Sequence, residues 1–388
     1  MDFGYPQEIT DFAATVERFA QERLADGALA RAHSPEYPRR IARELAAQGL
    51  FGIAVPENRG GQGGSLLAAL VAIQAVARAC PRSADVVQAG NFGAVRTFAE
   101  YASDSLRAEY LDGLMSGELL MSLSMTEPQA GSATTDLATT ARTVSGGYRI
   151  TGSKIFGTHS LEADLYLVYL RFGPGVGGIG SVILPRDSEG LTVGAPSRFL
   201  NGEDWAELHF EDCFVPEERV LLGPGGFKRQ MGGFNVERLG NCARSIAVGR
   251  YAFDTAVEHL NTREQFGRPL AEFQGLQWMM VDAVVALESA QLLLLRAIPE
   301  EEGQLPCAAA TAMAKLAANQ AGYQAADVAM QALGGYGFSE ESLVEYCFRR
   351  TRGWRIAGGS VEMMRNRIAE SVFGRRFSQR AIAAGATR

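Results

Sequence analysis

The chain has 388 residues and a formal net charge of −7, and 47% of its residues are hydrophobic against 21% charged. This is the composition of a globular protein with two or three packed units, and its net negative charge excludes a general attraction to nucleic acid or to anionic membranes. The five cysteines never form a CxxC pair, which excludes a disulfide framework and a zinc site as organising features.

Residues 1–118 are predicted to form an N-terminal α-helical domain. The first segment, MDFGYPQEITDF, lacks the basic and apolar regions of a signal peptide, so we expect a cytoplasmic protein. Apolar residues recur at helical spacing in ITDFAATVERFAQERLA and in YPRRIARELAAQGLFGI. The segment LLAALVAIQAVARAC is apolar on most faces, which predicts a buried helix.

Residues 119–227 change to short β-branched and aromatic runs, which predict a middle β domain of six to eight strands. ATTARTVSGGYRITGSK alternates around Ser145-Gly146-Gly147, the pattern of a β-hairpin. GPGVGGIG matches GxGxxG, but a strand follows it where a dinucleotide site needs a helix. We therefore interpret it as a hairpin loop.

Residues 228–388 return to long, alanine-rich helices and predict a C-terminal helical bundle domain. The α–β–α order argues against a βαβ dinucleotide fold. No apolar run reaches the roughly 18 residues of a membrane span, so no membrane contact is expected. The four histidines show no metal-ligand spacing, so no metal is expected either.

Three segments have residue patterns that a purely structural role would not require. MSLSMTEPQAGSATTDL, residues 121–137, gathers short hydroxyls and glycine into one turn, which suits an anion or a ring with carbonyl and amide edges. NTREQFGRPLAEFQGLQ and QALGGYGF also bring glycine backbone to a surface. Each segment also has an ordinary interpretation as a connecting loop or a helix–helix turn.

Seven segments, in this order, resemble the acyl-CoA dehydrogenases, which are flavoproteins. The segments are VPENRGGQGG, MTEPQAGS, GSKIFGTHSLEADLYLV, FEDCFVPEERVLLG, REQFGRPLAEFQ, QALGGYGF and GGSVEMMRNRIA. The resemblance covers nearly the whole chain. It implies an α+β multidomain fold with an N-terminal helical domain, a middle β-barrel or sandwich domain and a C-terminal four-helix bundle.

The resemblance also implies a bound FAD. The residues that match the family's flavin loop and the aromatic and threonine covering the flavin are Met125, Thr126, Gly131, Ser132, Phe156 and Thr158. The residues that match contacts to the FAD of a neighbouring subunit are Arg263, Gln265, Phe266, Gln331 and Gly335. Ser360 and Glu362 match positions at the adenosine half. Such contacts imply a homotetramer built as a dimer of dimers, and the family's expected electron acceptor is an electron-transferring flavoprotein.

The family's catalytic carboxylate is missing from its usual place. The Y-E-G-T turn that normally carries it reads Ala357-Gly358-Gly359-Ser360 here. The isovaleryl-CoA dehydrogenase branch carries its catalytic glutamate in an ERL setting that matches Glu237. We therefore predict Glu237 as the base for the α-proton, while a helix-terminal glutamate that only favours the macrodipole is the alternative.

The resemblance leaves Gly358 a catalytic role through its backbone N–H. In the family this N–H donates to the thioester oxygen, together with a ribityl hydroxyl of FAD, and a glycine retains it. The predicted substrate-binding residues are Ser132, Arg238, Arg355 and Ala357. The basic run 349–355 either attracts an acidic carrier protein or CoA phosphates, or forms a solvated face. Arg355 also has two interpretations: it contacts a polar acyl group of the substrate, or it is an ordinary surface arginine.

The leading functional prediction is FAD-dependent α,β-dehydrogenation of an acyl thioester carried by CoA or by an acyl-carrier protein. One rival is a flavin monooxygenase of the same family, which dispenses with the carboxylate base. A second rival is a catalytically silent flavin-binding or assembly protein. The predicted Glu237 base argues against both rivals, and the acyl group is not indicated by the sequence.

Overall fold

The computed structural model describes residues 4–300 and 304–378. Its N-terminal part is built from helices because apolar residues recur at helical spacing there. The helices are α1 Gln7–Leu24, α2 Ala28–His33, α3 Arg39–Ala47, α4 Leu66–Ala77, α5 Pro81–Asn91, α6 Gly93–Tyr101 and α7 Asp104–Met115. Helix α4 is the apolar segment predicted to be buried, and most of its side chains lie in the core.

The middle part is a sheet of eight strands in the order β10-β5-β4-β2-β3-β9-β6, with β1 paired in parallel to β4. The strands are β1 Met121–Ser124, β2 Thr140–Val144, β3 Gly147–Lys154, β4 Leu165–Arg171, β5 Ile179–Pro185, β6 Leu191–Val193, β7 Ser197–Arg198, β8 Asp204–Trp205, β9 Leu208–Pro216 and β10 Val220–Leu222; β7 and β8 form a separate pair. Both predicted hairpins are confirmed, because β2 pairs antiparallel with β3 and β4 with β5.

The C-terminal part is a bundle of long helices with a small hairpin between its first two members. Its elements are α8 Phe227–Thr262, β11 Glu264–Gln265, β12 Arg268–Pro269, α9 Gln274–Ala297, α10 Ala308–Leu333, α11 Leu343–Trp354 and α12 Val361–Val372. Helices α8 and α10 cross closely at two glycines. A Cβ on Gly249 would lie 2.7 Å from the Cα of Gly322, so neither position has room for a side chain.

Helix α9 packs against α8 and α10 on one side and is open on the other. Ala283, Leu287 and Leu294 are buried, whereas Trp278 is 61% exposed and Val285 58%. In the described part of the chain, α9 is the one helix long and apolar enough to cross a membrane by length and composition. Core helices of soluble proteins pass the same test, and α9 is packed as a bundle member.

Candidate active site

A buried ion pair supports the loop after β1, which carries the predicted flavin-binding residues. Lys154 Nζ lies 2.6 Å from Glu127 Oε1 and also donates to the Met125 carbonyl at 3.2 Å. The backbone N–H groups of Ala138 and Thr139 donate to the same carboxylate. Burial alone raises the pKa of Glu127, but Lys154 and these donors hold that pKa below its ordinary value; burial lowers the pKa of Lys154 to about 8.

An aromatic surface lies beside this loop. The Phe156 ring is 4.6 Å from that of Trp205, which stacks on Phe199 at 5.6 Å, and Phe156 is 52% exposed. Ser122 Oγ holds the Thr158 carbonyl at 2.8 Å while the side chain of Thr158 stays exposed. The Phe156 ring is tilted by 53° against that of Trp205, and this open group of aromatic rings suits contact with one face of a planar flavin ring.

The other predicted flavin-loop residues share this region. Met125 is buried, Thr126 is partly buried, and Gly131 and Ser132 are exposed on the loop. The Thr126 carbonyl accepts from the N–H of Ile155 at 2.9 Å, which joins the loop to the segment that leads to Phe156. The sequence did not indicate Phe199 and Trp205, which lie at β7 and β8, more than 40 residues after Phe156. Aromatic residues are common in β structure, so their presence there was no signal of a site.

The residues predicted to reach a neighbouring subunit lie on the surface of the bundle. Arg263 caps the C-terminal end of α8, Gln265 and Phe266 lie in the β11–β12 hairpin that follows, and Phe266 is 94% exposed at a φ of 53°. Gln331 and Gly335 are exposed at the end of α10. Residues that complete a site in a second chain must be exposed in the single chain, and all five are.

The turn before α12 has a left-handed backbone at both glycines. Gly358 has a φ of 68° and Gly359 a φ of 92°, which favours glycine at both positions. Ser360 is the N-cap of α12, since its Oγ accepts the Met363 N–H at 3.4 Å. Glu362 is fully exposed, and its own backbone N–H and Ser360 keep its pKa low. Within the described residues, the N–H of Gly358 donates to no protein acceptor.

Lys315 of α10 holds this turn from inside the bundle. Its buried Nζ donates to the carbonyls of Ala357 and Gly359, each at 3.0 Å, to Trp354 O at 3.3 Å and to Asn319 Oδ1 at 2.8 Å. Burial lowers the pKa of Lys315 to about 8. The sequence offers one signal for it: Lys315 is the lone basic residue in the alanine-rich segment of α10.

Glu237 lies on α8, partly buried, with its carboxylate oriented by the N-terminal helices. Gln88 Nε2 donates to Glu237 Oε2 at 3.0 Å, and the N–H of Gly93 donates to the same carboxylate. A Cβ on Gly93 would lie 3.3 Å from this oxygen, so the backbone approaches closely there. Burial raises the pKa of Glu237, and the charges of Arg244 and Lys315 oppose the rise.

The structure connects Glu237 to the turn through its neighbour on the helix. Arg238 Nε donates to the Gly358 carbonyl at 3.2 Å and its Nη1 to Asn235 Oδ1 at 2.9 Å. Ala357 is exposed at the same turn. The guanidinium of Arg355 lies 5.0 Å above the Tyr323 ring with its Nε buried, and its contact with the acyl group stays a prediction.

A buried group that we call the arginine cluster lies further along α8 and comprises Arg82, Asp85, Glu203, Arg244 and Arg350. Asp85 accepts from Arg244 Nη1 at 3.0 Å and from Arg350 Nε at 2.7 Å. Glu203 accepts from Arg350 at 2.8 Å and from Arg82. Burial alone raises the pKa of Asp85, but Arg350 and Arg244 hold it low. The interpretation of 349–355 as one solvated face is therefore wrong for Arg350, which points inward.

Comparisons with known proteins agree with this architecture. Family descriptions for the N-terminal, middle and C-terminal domains of acyl-CoA dehydrogenases match residues 6–118, 122–213 and 224–373. A 3-sulfinopropanoyl-CoA desulfinase of Paraburkholderia xenovorans is 30% identical over 385 residues, covering 96% of this chain and 99% of the relative.

Solved structures show the same fold. Butyryl-CoA dehydrogenase from Megasphaera elsdenii matches with a TM-score of 0.89 at 28% identity, over 96% of this chain and 100% of that one. The FAD complex of PigA matches with a TM-score of 0.90 at 25% identity, over 96% and 99%. Since family descriptions match most of the chain in domain order, the protein belongs to the acyl-CoA dehydrogenase family.

Proposed function

We propose that this protein is an FAD-dependent dehydrogenase that forms an α,β double bond in an acyl-CoA thioester. The observation that carries the proposal is the pairing of a partly buried carboxylate, Glu237, with a turn whose Gly358 N–H has no acceptor among the described residues. Arg238, the next residue after Glu237, donates to the Gly358 carbonyl, and Lys315 donates to the carbonyls of Ala357 and Gly359. Family membership and relatives that act on CoA thioesters support the same activity.

Removal of the α-proton and stabilisation of the thioester oxygen require different residues. Glu237 removes the α-proton of the acyl group, and Gln88 and Gly93 keep its carboxylate oriented for the transfer. The N–H of Gly358 donates to the thioester oxygen as negative charge develops there. Lys315 fixes the two carbonyls that flank this donor and so sets its direction.

FAD supplies the acceptor for the hydride that leaves the β-carbon. We propose that the loop residues Met125 to Ser132 and the aromatic surface at Phe156 hold its ring, and that Ser360 and Glu362 lie at its adenosine half. The exposed residues of the β11–β12 hairpin and the end of α10 would complete the FAD site of a second chain.

Anaerobic mixing of the FAD-loaded protein with acyl thioesters tests this function. We expect the yellow flavin absorbance to bleach with at least one acyl-CoA and an enoyl-CoA product to form. A panel of acyl-carrier-protein thioesters distinguishes the two carriers. Bleaching by no thioester would contradict the proposal, and an oxygen-dependent hydroxylated product would instead support the monooxygenase interpretation.

The pH dependence of kcat/KM follows from the environment of Glu237. Because burial raises the pKa of this carboxyl, the base becomes ionised only at a pH above the ordinary range of a glutamate. We expect kcat/KM to rise with pH through that shifted pKa and then to level off. The measurement is the rate of anaerobic flavin reduction against pH at subsaturating substrate; a flat profile through the acid range would contradict the assignment.

We further propose a homotetramer located in the cytoplasm, with an electron-transferring flavoprotein as the acceptor. The exposed apolar side of α9 supports contact with a second copy, since Trp278, Val281 and Val285 form a row at helical spacing that water would otherwise cover. Membership of the acyl-CoA dehydrogenase family supports this acceptor by analogy. Light scattering of the FAD-loaded protein measures the assembly directly.

A further inference from the structure

The arginine cluster holds more positive than negative charge. Three guanidinium groups face two carboxylates, so the cluster keeps one unbalanced positive charge inside the protein. The Nε atoms of Arg82 and Arg244 are buried and have no hydrogen-bond partner within residues 4–300 and 304–378. Burying a cation whose N–H groups lack acceptors costs free energy unless an anion pairs with it. The cluster therefore has the composition of an anion site.

The neighbouring titratable groups do not remove this excess. Lys315 adds a further positive charge and Glu237 a negative one, and these two offset each other when both are charged. His159 is buried among Arg82, Arg350 and Arg244, and burial together with these charges lowers its pKa to about 3, which keeps it neutral. Tyr346 donates to Asp85 and stays protonated because burial raises its pKa.

Arg244 connects the cluster to the catalytic carboxylate. It lies seven residues after Glu237 on α8, which is two helical turns on the same face and about 10 Å along the axis. Helical side chains lean toward the N-terminus, so the arginine extends back toward Glu237. Its charge is the strongest of the influences that lower the pKa of Glu237. Two residues of α5 contact the same face of α8, since Gln88 donates to Glu237 and Asp85 accepts from Arg244.

We propose that the acyl group of the substrate ends in a small oxyanion, a carboxylate or a sulfinate, and that Arg244 is the specificity residue that receives it. This inference rests on the proposed function, because Glu237 must lie at the α-carbon. Because Glu237 and Arg244 are two helical turns apart, the acyl chain that joins the α-carbon to the oxyanion is short. A guanidinium suits both oxyanions, since it presents paired N–H donors in one plane.

Matched pairs of thioesters test the proposal on the FAD-loaded protein. Glutaryl-CoA and valeryl-CoA have the same chain length and differ in the terminal carboxylate, and 3-sulfinopropanoyl-CoA and butyryl-CoA form the second pair. The rate of anaerobic flavin bleaching against substrate concentration gives the limiting rate of flavin reduction and the apparent dissociation constant for the first pair. Perturbation of the flavin spectrum in E237Q gives dissociation constants for all four, and the tighter anion identifies the natural end group.

The wild-type protein is expected to prefer the anionic member of a pair by roughly 10- to 100-fold, the value of a hydrogen bond to a charged group in a buried site. R244Q should abolish this preference mainly through the apparent dissociation constant, and R244K should restore part of it. R250Q is the matched control on the same helix, where Arg250 pairs with Glu288 at the surface, and it should keep the preference.

Two results would overturn the inference and leave the proposed function standing. One is bleaching by neutral acyl-CoA with no preference for the anionic partner in the wild-type protein, a measurement that does not depend on any variant folding. The other is an equal loss for both members of a pair in R244Q, which would give the cluster a purely structural role. Bleaching by no thioester at all would overturn the proposed function, and this inference with it.

Discussion

The E237Q variant is expected to bind FAD as the wild-type protein does and to be reduced by acyl-CoA more slowly by a factor of roughly 100 to 10,000, the usual contribution of a general base. The amide oxygen of glutamine accepts from Gln88 and from Gly93 as the carboxylate does, so the local hydrogen bonds survive. Only the ability to take a proton is removed. The measurement is stopped-flow bleaching of the flavin under anaerobic conditions.

E258Q is the matched control, since Glu258 lies on the same helix and is exposed. Its reduction rate should equal that of the wild-type protein. Fast and complete reduction of E237Q would refute the assignment and move the search for the base to another residue. A loss of FAD from E237Q would instead show that the carboxylate has a structural role.

The K154M variant is expected to lose about 3–5 kcal/mol of unfolding free energy, the cost of leaving one member of a buried ion pair without its partner. The side chains of Glu127 and Lys154 are 2% and 1% exposed, so water does not compensate the remaining carboxylate. The loop that carries Met125 loses its support at the same time, and we expect weaker FAD binding. Denaturant titration and flavin content give the two quantities.

The double variant E127Q/K154M separates charge from packing. With no buried carboxylate left uncompensated, it should be more stable than K154M alone, although the loop still lacks its lysine. If the single and double variants unfold at the same denaturant concentration, the electrostatic explanation is wrong and the methylenes of Lys154 account for the effect.

Local patterns were sufficient to predict the order of helical, β and helical regions and both hairpins around Gly146 and Gly175. These features depend on periodicity and turn residues within short windows. The missing acid at Gly358 likewise needed only the sequence of one turn. The role of Glu237 stays a prediction.

Contacts between distant segments could not be predicted in the same way. Arg350 looks like part of a basic surface run, yet its partners Asp85 and Glu203 come from two other regions of the chain. Lys315 looks like one basic residue on a helix, yet it binds carbonyls about 40 positions later. Periodicity identifies which face is buried; it does not identify what lies against that face.

The arginine cluster also has a consequence for how the protein unfolds. Its members come from α5, from the connection between β7 and β8, and from α8 and α11, so one set of charges bridges all three regions of the fold. Separation of any one region leaves the others with buried charges that lack partners. Partly opened states are therefore disfavoured, and the three regions behave as one cooperative unit.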